Sequence, residues 1–192
     1  MFFGMGSRDP IVRLSMGTAY VSLVLLVATL AIGPLNIVRG RPNPVSTNLR
    51  RDVGIWGGIA ALAHLVFGLQ VHLRGNMSQY FLYPAEWERA FPLRFDTFGL
   101  ANWTGLLSGL LFLLLLCLSN DISLRRLGAA RWKSLQRWIY AAFALLVFHG
   151  VLYQLVIESR PWGWVVFLGA LVGTVGVAQG AGFRGVRGRG RP

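Results

Sequence analysis

Five stretches without a single Lys, Arg, Asp or Glu residue dominate this sequence of 192 residues. They cover residues 14–38, 53–73, 98–119, 138–157 and 162–182. Each is long enough to cross a hydrocarbon layer of about 30 Å as a helix, which takes about 20 residues. Hydrophobic residues make up 54% of the chain and charged residues only 14%, an unusual composition for a soluble domain. The sequence therefore predicts an all-α integral membrane protein, a bundle of about five transmembrane helices.

The basic residues between these stretches predict the orientation of the bundle. Of the 19 Lys and Arg residues, thirteen lie after the first, third and fifth stretches, and six lie on the opposite side. Because cytoplasmic loops carry the excess of Lys and Arg, we expect the N-terminus outside and the C-terminus in the cytoplasm. The chain would then be a multi-pass protein of the cell (inner, or cytoplasmic) membrane.

The predicted organisation has three parts. Residues 1–13 form an N-terminal segment, residues 14–182 the transmembrane helical domain, and residues 183–192 an Arg/Gly-rich cytoplasmic tail. The tail directly follows a helix, so lipid headgroups fit it better than RNA does, and no nucleic-acid partner is expected. The aromatic segment 74–97 is the one sizeable loop, and we expect it to lie on the outer membrane surface or to cap the bundle.

Two histidines occupy equivalent places in the second and fourth stretches. His64 follows Arg51 by thirteen positions, and His149 follows Gln136 by thirteen. Helices that enter the bilayer from the same side would carry both imidazoles to the same depth. An ionisable group in hydrocarbon is costly and indicates function, and neutral imidazoles are common axial ligands of haem iron. The pair predicts one haem held between two helices; the alternative is an interhelical hydrogen bond without a cofactor.

Small residues accompany both histidines. Gly57 and Gly68 share the helical face of His64, and Gly105 and Gly109 lie at close-packing spacing on the third helix. Glycines there would let a flat porphyrin approach the backbone.

Three further residues are candidates for contact with the cofactor. His72 lies eight residues beyond His64, too far along the helix to ligate the same iron. It is expected to snorkel or to bond the loop, and alternatively to contact a haem propionate or a quinone. Arg74 and Arg94 flank the outer ends of the haem-bearing helices, where they would pair with propionates or serve as ordinary interfacial arginines.

Two motifs resemble a known family. The first is Ile32-Gly-Pro-Leu-Asn followed by Arg50-Arg51-Asp-Val-Gly and His64. The second runs from Ser119 through Arg125-Arg126-Leu-Gly128 and Trp132 to Tyr140 and His149. Together they are similar to the ferric reductase-like transmembrane domain, and within it to the haem-binding membrane subunits of periplasmic methionine-sulfoxide reductase systems. The match covers roughly residues 17–154.

The resemblance implies a function and a ligand set. His64 and His149 fall on the positions that ligate the outer-side haem, whereas Gln136 replaces the histidine that would serve a second haem. We therefore expect one haem b per chain in a cytochrome b that passes single electrons between a quinol or reductase partner and an outer-side acceptor. No catalytic residue of its own is expected. The alternative is a non-catalytic accessory subunit of a larger membrane complex that retains the fold.

Overall fold

Six α-helices account for most of the residues that the structure describes. The structure, a computed structural model, describes residues 9–41, 43–73, 76–159 and 162–189, apart from the side chains of residues 43–48 and 188–189. The helices are α1 (Pro10–Val38), α2 (Asn43–Gly68), α3 (Thr97–Leu118), α4 (Asp121–Gln136), α5 (Ile139–Val151) and α6 (Trp162–Arg189). A π-helical turn, Leu152–Ile157, continues α5. The described residues contain no named strand, so the predicted all-α fold is confirmed.

Capping residues explain where several helices begin. The Asp9 side chain accepts a hydrogen bond of 2.8 Å from the backbone N–H of Ile11, and Pro10 occupies the first turn of α1. Asp96 caps α3 through the N–H of Gly99 at 2.7 Å. Asn120 caps α4 through the N–H of Ser123 at 2.8 Å. These short polar side chains satisfy donors that an apolar helix leaves unpaired.

The bundle is assembled around α1 and α3. Helix α1 packs against α2 and α6, whereas α3 packs against α2 and α5. Leu26, Leu30 and Phe112 are almost completely buried in the shared core. Large apolar side chains such as Leu107, Leu110 and Val177 lie on the outside of the bundle. Such an exposed apolar surface suits contact with lipid.

The spanning helices agree in number with the prediction and differ at their ends. Four stretches are long and apolar enough to cross a membrane, namely Pro10–Val38, Thr97–Leu118, Asp121–Ile157 and Trp162–Arg187. Helix α2 is less apolar, but its 26 residues extend about 39 Å at 1.5 Å per residue. It ends at Gly68 rather than at residue 73. The predicted tail begins as helix, because α6 continues through residue 189.

The basic segment between the third and fourth stretches folds as a helix rather than a loop. Helix α4 bends at Gly128, whose φ of 73° is a conformation that favours glycine. At the start of α4, the carboxylate of Asp121 accepts a hydrogen bond of 2.6 Å from Arg51 of α2. This ion pair joins the N-terminal part of α2 to the start of α4 on the side of the predicted cytoplasmic loops.

The aromatic loop caps the bundle, which is one of the two arrangements predicted for it. Tyr80 is only 1% exposed. Its hydroxyl donates to the carbonyl of Gly68 at 3.3 Å and accepts hydrogen bonds from the backbone N–H groups of His72 and Leu73. The Tyr80 hydroxyl therefore forms hydrogen bonds with backbone groups at the point where α2 ends.

Candidate functional site

His64 is held by α1 through a hydrogen bond to the backbone. Its Nδ1 lies 2.8 Å from the carbonyl oxygen of Ser15 and 3.3 Å from the Ser15 hydroxyl. A carbonyl oxygen can only accept, so Nδ1 carries the proton. The Nε2 atom of His64 is then the nitrogen with a free lone pair.

His149 is held in the same way by α3. Its Nδ1 donates to the carbonyl oxygen of Ala101 at 2.7 Å. The ring also lies against Gly105, where a Cβ atom would lie 2.7 Å from Nδ1. Both histidines are thus oriented by backbone carbonyls, and both keep Nε2 available as a ligand atom.

The two imidazoles come together in space. Their ring centroids are 6.1 Å apart, with ring planes at 71°. One iron shared by two imidazoles, with metal–nitrogen bonds of about 2 Å, needs ring centroids roughly 6 Å apart. The two histidines, which come from different helices, therefore lie at a separation that would suit one metal ion held between them.

A cavity of about 380 Å³ surrounds the pair. Its volume is within the range of about 300–1,000 Å³ typical of small-molecule sites. Gly68, Gly105, Gly109 and Gly150 line it, as the glycine pattern predicted for the first three. Gly57 does not belong to this group, because it packs against Leu25 and Leu26 of α1.

Polar atoms point to an occupant of mixed character. The indole N–H of Trp164 and the amide oxygen of Gln154 are buried at the cavity and have no hydrogen-bond partner within the described part of the chain. Buried polar atoms without partners are costly in an apolar interior. A cofactor with a flat apolar body and polar substituents suits such a lining.

His72 lies at the mouth of the same cavity and not beside the other two histidines. Its ring stacks on Tyr153 at a centroid distance of 5.7 Å, and Tyr153 lies 5.0 Å from the ring of His149. His72 therefore lines the cavity itself, and Tyr153 connects its ring to that of His149. The expectation that it contacts a propionate or quinone stays a prediction.

The predicted propionate partners have different outcomes. Arg74 lies outside the described residues. Arg94 is bound to the protein itself: Nε donates to both carboxylate oxygens of Asp96 at 3.0 Å, and Nη1 donates to the carbonyl of Gln79 at 3.1 Å. Its guanidinium also lies 4.6 Å from the ring centre of Phe98. In this structure Arg94 joins the aromatic loop to the start of α3.

Gln136 lies at the end of α4, thirteen residues before His149. Its side-chain amide lies 3.4 Å from the hydroxyl of Ser119. The sequence contains only three histidines, so the second histidine pair that two bis-histidine haems would need is missing.

Several residues of the site were not predicted. The carbonyls of Ser15 and Ala101 orient the two histidines. Tyr153 contacts the rings of both His149 and His72, and its hydroxyl donates a hydrogen bond of 2.8 Å to the side-chain oxygen of Asn102. Tyr153 follows His149 by four residues, which places both on one helical face. That spacing could have identified Tyr153 from the sequence. No feature of the sequence identifies the carbonyl of Ser15.

Comparison with known proteins shows that the sequence is similar to haem-binding subunits. The protein-methionine-sulfoxide reductase heme-binding subunit MsrQ of Deinococcus radiodurans is 32% identical over 146 residues, which cover 76% of this chain and 64% of the relative. MsrQ of Xanthomonas axonopodis pv. citri is 32% identical over 141 residues, 73% of this chain and 58% of the relative. MsrQ of Cronobacter sakazakii is 28% identical over 169 residues, 88% of this chain and 76% of the relative.

These relatives confirm the predicted likeness to haem-binding membrane subunits. The chain spans less than two thirds of the length of the first two. No family model matches the chain, and no solved structure matches it. The likeness to the broader ferric reductase-like domain therefore rests on the two motifs.

Proposed function

From its relationship to the haem-binding subunits of protein-methionine-sulfoxide reductases, we propose that this chain is a membrane cytochrome b. His64 and His149 ligate one haem b, and the protein passes single electrons between a quinol or reductase partner and an outer-side acceptor. One observation carries the proposal: two imidazoles from different helices share a cavity, each with its proton held on Nδ1 by a carbonyl.

The ligands determine which chemistry the site supports. A bound haem supplies one-electron chemistry. His64 and His149 would hold the haem, and ligation by both imidazoles would favour electron transfer over the binding of oxygen. The carbonyls of Ser15 and Ala101 fix the tautomer and direction of each ring.

The lining of the cavity around the histidines is mostly apolar. Leu65, Phe112 and Leu168 line the cavity together with the glycines. An apolar shell of this kind favours the form of the cofactor with the lower charge. Tyr153 and His72 extend from the histidines toward the capping loop, where a partner on the outer side would come closest to the site.

The predicted topology indicates which side of the membrane the site serves. With the loops around Arg51 and Arg125 in the cytoplasm, His64 lies thirteen residues beyond Arg51 and His149 thirteen residues beyond Gln136, about 20 Å from the cytoplasmic side. The site is then in the outer half of a bilayer about 30 Å thick. We propose a partner or acceptor on that side, and a quinol or reductase as the source of electrons.

A non-catalytic accessory subunit is the second candidate. The replacement of a histidine by Gln136 favours it, because a two-haem path across the membrane then lacks one ligand. An absorbance spectrum of the purified protein distinguishes a chain without haem from one that binds it. A reductive titration then separates the two functions: a haem that is reduced and reoxidised reversibly supports the cytochrome, and one that does not titrate supports the accessory subunit.

A further inference from the structure

The two carbonyls that orient the histidines each lie within hydrogen-bond distance of a threonine hydroxyl three residues later. Thr18 Oγ1 is 3.0 Å from the carbonyl oxygen of Ser15 and 2.7 Å from that of Leu14. Thr104 Oγ1 is 3.0 Å from the carbonyl oxygen of Ala101 and 2.8 Å from that of Leu100. Each hydroxyl has one proton, which these two carbonyls share. The same arrangement thus occurs on α1 and on α3, once for each histidine.

These threonines compete with the histidines for the same acceptor atoms. A carbonyl oxygen has two lone pairs, yet the carbonyls of Ser15 and Ala101 face three donors: the helical N–H four residues on, the threonine hydroxyl and the imidazole Nδ1–H. A carbonyl shared in this way is a weaker acceptor for each donor. The hydrogen bond on Nδ1–H sets the basicity of a metal-bound imidazole, and a weaker bond leaves the ligand less electron-rich.

We propose that Thr18 and Thr104 are positioning residues that weaken the hydrogen bonds from His64 and His149 and so raise the reduction potential of the haem. This inference rests on the proposed ligation of one haem by His64 and His149. A less basic ligand pair stabilises the oxidised iron less, which favours reduction. Because a threonine lies beside the carbonyl acceptor of each histidine, the two contributions to the reduction potential should add.

The test measures the midpoint potential of the purified holoprotein in Thr18→Val, Thr104→Val and the double variant. Valine keeps the shape of threonine and removes the hydroxyl. We expect each single variant to retain haem and to shift the potential in the negative direction. A roughly threefold change in the one-electron equilibrium is about 28 mV, at 59 mV per tenfold change. The double variant should shift by about the sum.

Two controls separate this effect from a structural one. Thr174 Oγ1 on α6 makes the i−4 bond that Thr18 and Thr104 also make, to the carbonyl of Ala170 at 2.8 Å, but far from either histidine carbonyl in the chain, and Thr174→Val should leave the potential unchanged. Thr18→Ser and Thr104→Ser restore a hydroxyl and should restore the wild-type potential. If each hydroxyl only forms a hydrogen bond within its own apolar helix, no variant should change the potential.

The outcomes distinguish this inference from the function on which it rests. Valine variants that bind haem with an unchanged or more positive potential overturn the role of the threonines and leave the cytochrome intact. A wild-type protein without haem, or a His64→Ala variant with an unaltered spectrum, overturns both. If one valine variant does not assemble, the other tests the same mechanism on the opposite ligand.

Discussion

The imidazole of His149 lies directly against the backbone of Gly105, where a Cβ atom would be 2.7 Å from Nδ1 and 2.8 Å from Cε1. The ring cannot move away without losing its hydrogen bond to Ala101. We therefore predict that Gly105→Ala displaces the ring and lowers haem affinity by about 10–100-fold, the usual cost of disturbing a group that orients a ligand. The measurement is the ratio of haem to protein after purification.

Two other glycines provide graded controls for that variant. A Cβ at Gly109 would lie 3.0 Å from the end of the Leu65 side chain, which can adjust, and a Cβ at Gly173 would meet nothing within 4 Å. Gly109→Ala should lose little haem and Gly173→Ala none. Full haem occupancy in Gly105→Ala would show that the ring does not need this contact.

The number of haems per chain is the second prediction. The imidazoles of His64 and His149 lie together in the cavity. At the position of a third histidine the chain has Gln136, whose side-chain amide is hydrogen-bonded to the hydroxyl of Ser119. A pyridine haemochrome assay should therefore find one haem b per polypeptide. Two haems would mean that His72 or another group binds a second iron.

The third prediction assigns the ligands. His64→Ala and His149→Ala should each abolish the low-spin spectrum, because either change removes one axial ligand. His72→Ala should leave the Soret and alpha bands nearly unchanged, since its ring stacks on Tyr153 and lies eight residues beyond His64, too far along the chain to ligate the same iron. Loss of haem in the His72 variant, with retention in the His149 variant, would reverse the assignment.

Hydropathy and histidine spacing predicted the helices and the central pair, because both depend on the order of side-chain types along a helix. What they missed depends on backbone atoms. The carbonyls of Ser15 and Ala101 belong to every residue type, so no sequence pattern marks them as acceptors for a histidine. The prediction that Gly57 lies beside the cofactor was wrong for a similar reason. The spacing shows that Gly57 is on the same side of the helix as His64, but it does not show whether that part of the helix faces the cavity or α1.

The hydropathy pattern also did not predict where the helices end. Hydrophobic residues continue to residue 73, yet α2 ends at Gly68 because the Tyr80 hydroxyl supplies hydrogen bonds to the backbone there. That partner lies twelve residues later in a loop. Helix α4 was not predicted because its sequence is polar and basic. Counts of basic residues indicate the side of the membrane but not the secondary structure.

The fourth prediction concerns the ion pair at the start of α3. Burial raises the pKa of Asp96, but the hydrogen bonds from Arg94 and from the N–H of Gly99, with the charge of Arg94, outweigh it and hold the pKa below its usual value. Asp96→Ala should cost about 1 kcal/mol through loss of the cap. Asp96→Asn keeps a capping oxygen and should cost less, since partly exposed ion pairs contribute below about 1 kcal/mol.

The acid dependence of stability checks the same pair. A carboxylate with a lowered folded-state pKa stabilises the protein above its unfolded pKa of about 3.9 and loses that contribution as the pH falls through the folded value. The melting temperature of the wild type in detergent should therefore fall more below about pH 4 than that of Asp96→Asn. Parallel curves for the two proteins would show that the charge of Asp96 adds nothing.

The last prediction decides which compartment the site serves. Ser78 lies in the capping loop and Ala130 on α4, so the single helix α3 separates them, and both are exposed. The excess of basic residues places position 78 outside and position 130 in the cytoplasm. In a Cys117→Ala background, which removes the one native thiol, an impermeant maleimide added to intact cells should label Ser78→Cys and spare Ala130→Cys until the membrane is opened. The reverse pattern would put the histidine pair nearer the cytoplasm and exchange the sides of donor and acceptor. Labelling of both positions in intact cells would mean that α3 does not cross the bilayer.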